Sequence, residues 1–182
     1  MKFIILIIIL LSLPFKSSSP IFCICPELKG EKVAEIKKNM EVIVVGKFTK
    51  QIEFGEYDDG VNINGYFKID TIIKGPTDLK NLVINQFSNG NCRELFEPNK
   101  QYLVLGNHIT KFKDMKTSNK STNEHLPPPP PNEIHNSIME CYSSNKTTIK
   151  QWNQIAERNY IIHTNQCLTF ELKERSAKLF ME

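Results

Sequence analysis

Between Glu41 and Asn107 the chain passes four times through one short pattern: a stretch rich in Val, Ile, Leu and Phe, closed by turn-forming residues. Glu41 to Thr49 (Glu-Val-Ile-Val-Val-Gly-Lys-Phe-Thr) is dense in β-branched side chains and predicts a strand. Tyr66 to Ile73 alternates Tyr-Phe-Lys-Ile-Asp-Thr-Ile-Ile, and Asp58-Asp59-Gly60 ahead of it predicts a long hairpin. Lys74-Gly75-Pro76 closes that strand, and Leu79 to Phe87 predicts a third. A turn cluster, Ser88-Asn89-Gly90-Asn91, leads to Cys92, and Gln101 to Asn107 predicts a fourth strand. Ile134 to Cys141 is expected to supply a fifth, and Tyr160 to His163 a short closing strand. Ile149, Trp152, Ile155 and Ala156 recur at helical spacing within Thr147 to Arg158, while Glu31 to Lys38 predicts a weak helical turn. Five short strands, one or two flanking helices and no strand–helix–strand alternation predict a mainly β fold, a five-stranded closed barrel of the OB type.

The ends set the compartment. Met1-Lys2 and the uncharged run Phe3 to Leu13 have the form of a secretory signal, too short to span a bilayer comfortably; a single-pass anchor is the alternative. Pro14 ends the run, and cleavage is expected somewhere in 17–22, leaving a secreted, extracellular chain with no membrane segment. The whole chain carries +3; losing Lys2 and Lys16 brings it to about +1, which speaks against nucleic acid as a partner. About 160 residues remain, enough for one domain. Within it, 111–132 is polar and ends in Pro127 to Pro131, predicting an extended, mobile, Pro-rich insertion; 171–182 reads as a tail. Asn119 and Asn145 head glycosylation sequons.

Five cysteines (Cys23, Cys25, Cys92, Cys141 and Cys167) on an export route favour disulfides, with one thiol left over or bonded to another chain. Cys23-Ile24-Cys25 on an extended segment sends its two sulfurs to opposite sides, which suits two different bridge partners. A zinc half-site would need a second Cys or His pair, and His108, His125, His135 and His163 are scattered. Oxidation would also remove a catalytic thiolate, and no phosphate loop, nucleophile elbow or His-Glu-x-x-His motif occurs. Asp58-Asp59-Gly60 lacks the alternating ligands of a calcium loop, so no cofactor is expected and the chain is not read as an enzyme. Lys111, Lys113, Lys116 and Lys120 form a basic strip, either a solvated loop or a contact for heparin-like polyanions.

The order of these features resembles the tissue inhibitors of metalloproteinases and the wider netrin-like domains. The likeness rests on the signal peptide, on Cys23-Ile24-Cys25-Pro26 and on a strand ending in Gly46-Lys47-Phe48. It continues through Tyr66 to Gly75, Asn91-Cys92-Arg93-Glu94-Leu95-Phe96 and Lys100 to Gly106, and through Cys141, the Trp152-Asn153 helix and Cys167. It spans Cys23 to about Phe170, the inhibitory domain only; the family's second domain is not expected in this chain. The resemblance implies bridges Cys23–Cys92 and Cys25–Cys141, each stabilising by roughly 2–4 kcal/mol. The partner of a third bridge would fall near Lys38, so Cys167 is expected to be unpaired or to bond another chain.

The resemblance also implies a mechanism of occlusion. The α-amine and carbonyl oxygen of Cys23 would chelate the catalytic zinc of the target protease, Ile24 would enter its specificity pocket, and Cys25-Pro26 with Ser88, Asn89, Gly90 and Asn91 would form the contact ridge. The hairpin around Phe54 to Asp59 would add contacts. Chelation needs Cys23 as the mature N-terminus, because an amide nitrogen has no usable lone pair. Cleavage after Phe22 puts Phe at −1 and Pro20 at −3; cleavage after Ser19 puts Pro20 at +1. The partners so implied are matrix-metalloproteinase-like zinc proteases; the alternative is a non-inhibitory netrin-like module binding matrix, glycosaminoglycan or a secreted protein.

Overall fold

The computed structural model describes residues 25–53, 63–86, 93–98, 100–114, 134–141 and 146–182. In chain order these form α1 (Gly30–Asn39), β1 (Val42–Gln51), β2 (Gly65–Lys74), β3 (Asn81–Asn85), β4 (Tyr102–Ile109) and β5 (Lys111–Asp114). There follow β6 (Ile134–His135), β7 (Ile138–Cys141), α2 (Lys146–Ala156), β8 (Ile161–His163), a 3₁₀ turn (Gln166–Leu168), β9 (Thr169–Glu171) and α3 (Arg175–Met181). The described chain is mainly β, and five strands close into an OB-fold-like barrel. β1 pairs antiparallel with β2, and β2 with β3; β3 lies parallel to β8; β8 and β1 both pair antiparallel with β4, which closes the ring.

β1 shows why the barrel needs covering layers. Val42 and Val44 point inward with Phe48, Phe67, Tyr102 and Ile162, while Ile43 and Val45 point outward yet are equally buried. A strand buried on both faces reads as an unbroken apolar run, which is what Val42–Val45 is. The outer face is capped by α1 through Val33 and by α3 through Ala177 and Phe180. A third cluster lies under α2, where Trp152 packs with Phe112, Met139 and Cys141 against Val83, Ile109 and Ile161. Gly46 permits the tight curve of β1, since a Cβ there would run into the Lys68 carbonyl and the Phe67 ring.

Four expectations are corrected. The fifth barrel strand is β8, not Ile134 to Cys141, which folds into the β6–β7 hairpin of a separate three-stranded sheet. The stretch 111–132 opens with a strand: β5 lies parallel to β7, and Asn153 of α2 brackets Phe112, accepting from its N–H at 2.8 Å and donating to its carbonyl at 2.9 Å. Residues 171–182 are no tail, because β9 pairs with β4 and α3 buries Phe180 completely. There are accordingly three helices among the described residues rather than one or two. The β1–β2 turn at Asp58-Asp59-Gly60 and the proline tract lie outside the described residues.

Candidate functional site

The ends of β1 and β3 and the start of β2 meet at one rim of the barrel, where Gln51 pairs with Gly65 and Gly65 with Ile84. β8 leaves the sheet at the same rim: Thr164 N–H donates to the Asn85 carbonyl at 3.0 Å, and His163 Nδ1 lies 3.2 Å from Asn85 Oδ1. Three residues after Thr164 comes Cys167, bonded to Cys25 with 5.2 Å between their Cα atoms. Chain reach therefore keeps Cys25 within about 16 Å of Thr164. Residues 93–98 cross this rim to the start of β4 and insert Phe96 into the barrel. Its ring stacks on Phe48 at 5.0 Å and meets Tyr102 edge-on at 4.9 Å, while Tyr102 Oη accepts from Glu97 N–H at 2.8 Å.

Gln86 holds the rim together. Fully buried, it donates from Nε2 to the carbonyls of Ile63 and Glu94 at 2.8 and 2.9 Å and accepts from Glu94 N–H at 2.7 Å. Its backbone N–H donates to Asn64 Oδ1 at 2.6 Å. One side chain thus ties the root of the β1–β2 connection to both roots of the 87–92 segment, so every polar atom it buries is satisfied.

Beside this clamp lies a carboxylate group. Lys100 bridges Glu97 (2.6 Å) and Glu171, and Lys173 reaches Glu171 at 2.7 Å. These ammonium groups hold Glu171 below its usual carboxylate range, and the carboxylates push Lys100 upward. Burial, then the charges of Glu174, Glu171 and Glu97, push the Glu94 carboxyl up to about 7. His163, half-buried on β8 between β3 and β4, is pushed down to about 4 by burial.

Of the residues singled out in the sequence, Cys25 and Pro26 are exposed. They border a cleft of about 520 Å³ floored by Leu28, Phe170 and Leu179, with Arg175 at its edge. Cys23, Ile24, Ser88, Asn89, Gly90, Asn91 and Cys92 lie outside the described residues, as do Asn119 and Asn145. The pairing Cys25–Cys141 is corrected: Cys25 bonds Cys167, which is therefore not the unpaired cysteine. The reason is position. Cys141 ends β7 in the core beneath α2, 1 % exposed, whereas Cys167 sits on the turn between β8 and β9, beside the N-terminal segment. Lys111 and Lys113 are exposed on β5; Lys116 and Lys120 lie outside the described residues. Sequence reasoning missed Gln86 and Glu94, because nothing in a lone Gln after a strand marks it as a clamp.

Among the described residues no three His, Cys, Asp or Glu side chains converge to hold a metal, and no helix is long and apolar enough to cross a membrane. Comparison of the sequence with protein-family models and with curated proteins yields no match.

Proposed function

We propose that the chain is a secreted inhibitor of zinc metalloendopeptidases, working by occlusion in the manner of the tissue inhibitors of metalloproteinases. Cys23 would chelate the catalytic zinc, Ile24 would fill the adjoining pocket, and Cys25-Pro26 with Ser88 to Asn91 would flank them. One observation carries the reading: exposed Cys25-Pro26 is held covalently to the turn between β8 and β9, within about 16 Å of Thr164 at the rim where Gln86 and Glu94 meet. Pinning matters because a wedge held in shape before contact loses less entropy on binding. N-terminal sequencing of the secreted protein, paired with inhibition of a matrix metalloproteinase, tests it. A start at Cys23 with stoichiometric inhibition is expected. A start at Ser18, Pro20 or Ile21 removes the amine ligand and with it the mechanism.

A second reading, a non-inhibitory module that binds glycosaminoglycan, is favoured by a different observation. Lys47 and Lys68 stand directly opposite each other across β1 and β2, both exposed, with exposed Lys50 on the same strand. Like charges so paired are destabilising, and a polyanion would relieve them. Salt-dependent retention on heparin, lost in Lys47→Gln/Lys68→Gln and unaccompanied by protease inhibition, would favour this reading over the first.

A further inference from the structure

At the pole opposite the rim, where β1 begins and β4 ends, lies a cleft of about 510 Å³. It is lined by Asn39 at the end of α1, Glu41 before β1, Asn107 and His108 of β4, Ile134 of β6, and Asn136 and Ser137 of the β6–β7 turn. Glu41 and β4 are locked reciprocally: His108 N–H donates to Glu41 Oε2 at 2.7 Å, and Glu41 N–H donates to Asn107 Oδ1 at 3.2 Å. The His108 ring stacks on Tyr160 at 3.9 Å with the planes 5° apart, so this wall is stiff.

The opposite wall is strained. Asn136 and Ser137 both occupy the left-handed region, at φ 50° and 60°, forming the two-residue turn between β6 and β7. Glycine is the cheapest residue at the second of these places. A serine there costs stability, and the turn is held by Thr110, whose N–H and Oγ1 both donate to the Ser137 carbonyl. Strain kept where glycine would relieve it points toward a use for the side chain.

We propose that this cleft binds a neutral saccharide. The lining supplies three primary amides, one hydroxyl and one carboxylate with an oxygen to spare, a set of paired donors and acceptors suited to vicinal hydroxyl groups. No Lys or Arg lines it, which disfavours phosphate, sulfate or sialic acid. A single carboxylate already engaged by a backbone N–H is a poor cage for an ammonium group. A cleft this polar is equally poor for an apolar ligand. The site lies away from the rim and does not depend on the inhibitor reading.

The test is a glycan array of neutral, sialylated and sulfated oligosaccharides, probed with the intact secreted protein and with Ser137→Gly and Asn39→Ala/Asn136→Gly. Expected is binding to neutral glycans, weakened about tenfold by either variant. Ser137→Gly should meanwhile melt at a higher temperature than the parent, which separates a lost contact from a damaged fold. Binding to no glycan, binding to charged glycans alone, equal binding by the variants, or displacement by a lysine peptide would each overturn the proposal.

Discussion

Gln86 and Glu94 face each other through a reciprocal pair of hydrogen bonds, the Gln86 amide donating to the Glu94 carbonyl and the Glu94 N–H donating back to Gln86 Oε1. The side chain thus acts as a ladder rung between two segments that are not strands. Its remaining amide hydrogen reaches Ile63, so the rung has three attachment points. Gln86→Leu would take the partner from the buried Ile63 carbonyl and from the half-buried Glu94 carbonyl and N–H. A loss of about 2–4 kcal/mol in urea unfolding is expected. A loss under about 0.5 kcal/mol would mean the rim is held by other contacts.

Phe96 is the other half of that rim. It is 1 % exposed among Phe48, Phe67 and Tyr102, yet it sits on a connection, not on a strand. Phe96→Ala should cost about 3–5 kcal/mol by opening the barrel end. Phe96→Leu should cost markedly less, since most of the volume remains. Equal losses for the two would argue for ring stacking as the main term rather than filling.

The parts of the fold legible in sequence are those whose residues carry their own signal. Val42–Val45 and Tyr66 to Ile73 announce strands through β-branched content, and Trp152 with Ile149 and Ile155 announces α2 through its spacing. β5 was hidden because Lys-Phe-Lys-Asp offers one apolar residue; its partners, β7 and Asn153, are distant in sequence. α3 spans seven residues with two buried, too short for periodicity to rise above chance. The Cys25–Cys167 bond was hidden for a combinatorial reason, since spacing alone does not select among possible connectivities. Gln86 and Glu94 owe their roles wholly to the neighbours that the barrel brings to them.

Glu94 and His163 make stability depend on pH in opposite senses. Glu94 is raised from 4.5 to about 7, so its contribution is full below about pH 4.5 and is lost as pH climbs through 7. His163 is lowered from 6.5 to about 4, so its contribution is intact above 6.5 and is lost as pH falls toward 4. Between those limits the two offset each other, and the parent curve alone does not separate them. The difference between parent and Glu94→Gln does, because His163 is common to both. From pH 5 to pH 8 the variant should gain about 1 kcal/mol on the parent, a figure already reduced for solvent screening of a partly exposed carboxyl. A difference that stays flat across that range would return Glu94 to ordinary carboxylate behaviour.

The bond between Cys25 and Cys167 closes a loop with a sequence separation of 142. Chain-entropy reasoning assigns such a loop about 4–5 kcal/mol, and measured bridges more often contribute about 2–4. Either single replacement, Cys25→Ala or Cys167→Ala, should therefore cost about 3 kcal/mol, and the double replacement little more, because both remove the same constraint. Non-reducing peptide mapping should recover a linked pair containing Cys25 and Cys167. Recovery of Cys25 joined to Cys141 would overturn the connectivity, as would Cys25→Ala and Cys167→Ala losses that simply add. The barrel is expected to persist without the bridge, since the apolar layer that α1 and α3 lay over Ile43 and Leu103 includes neither cysteine. What the bridge governs is the exposed Cys25-Pro26 segment. On the inhibitor reading, Cys167→Ala should therefore weaken protease inhibition well before it unfolds the chain. That separation is read by assaying inhibition at a temperature where circular dichroism shows the variant fully folded; inhibition unchanged there would detach the bridge from the function proposed for it.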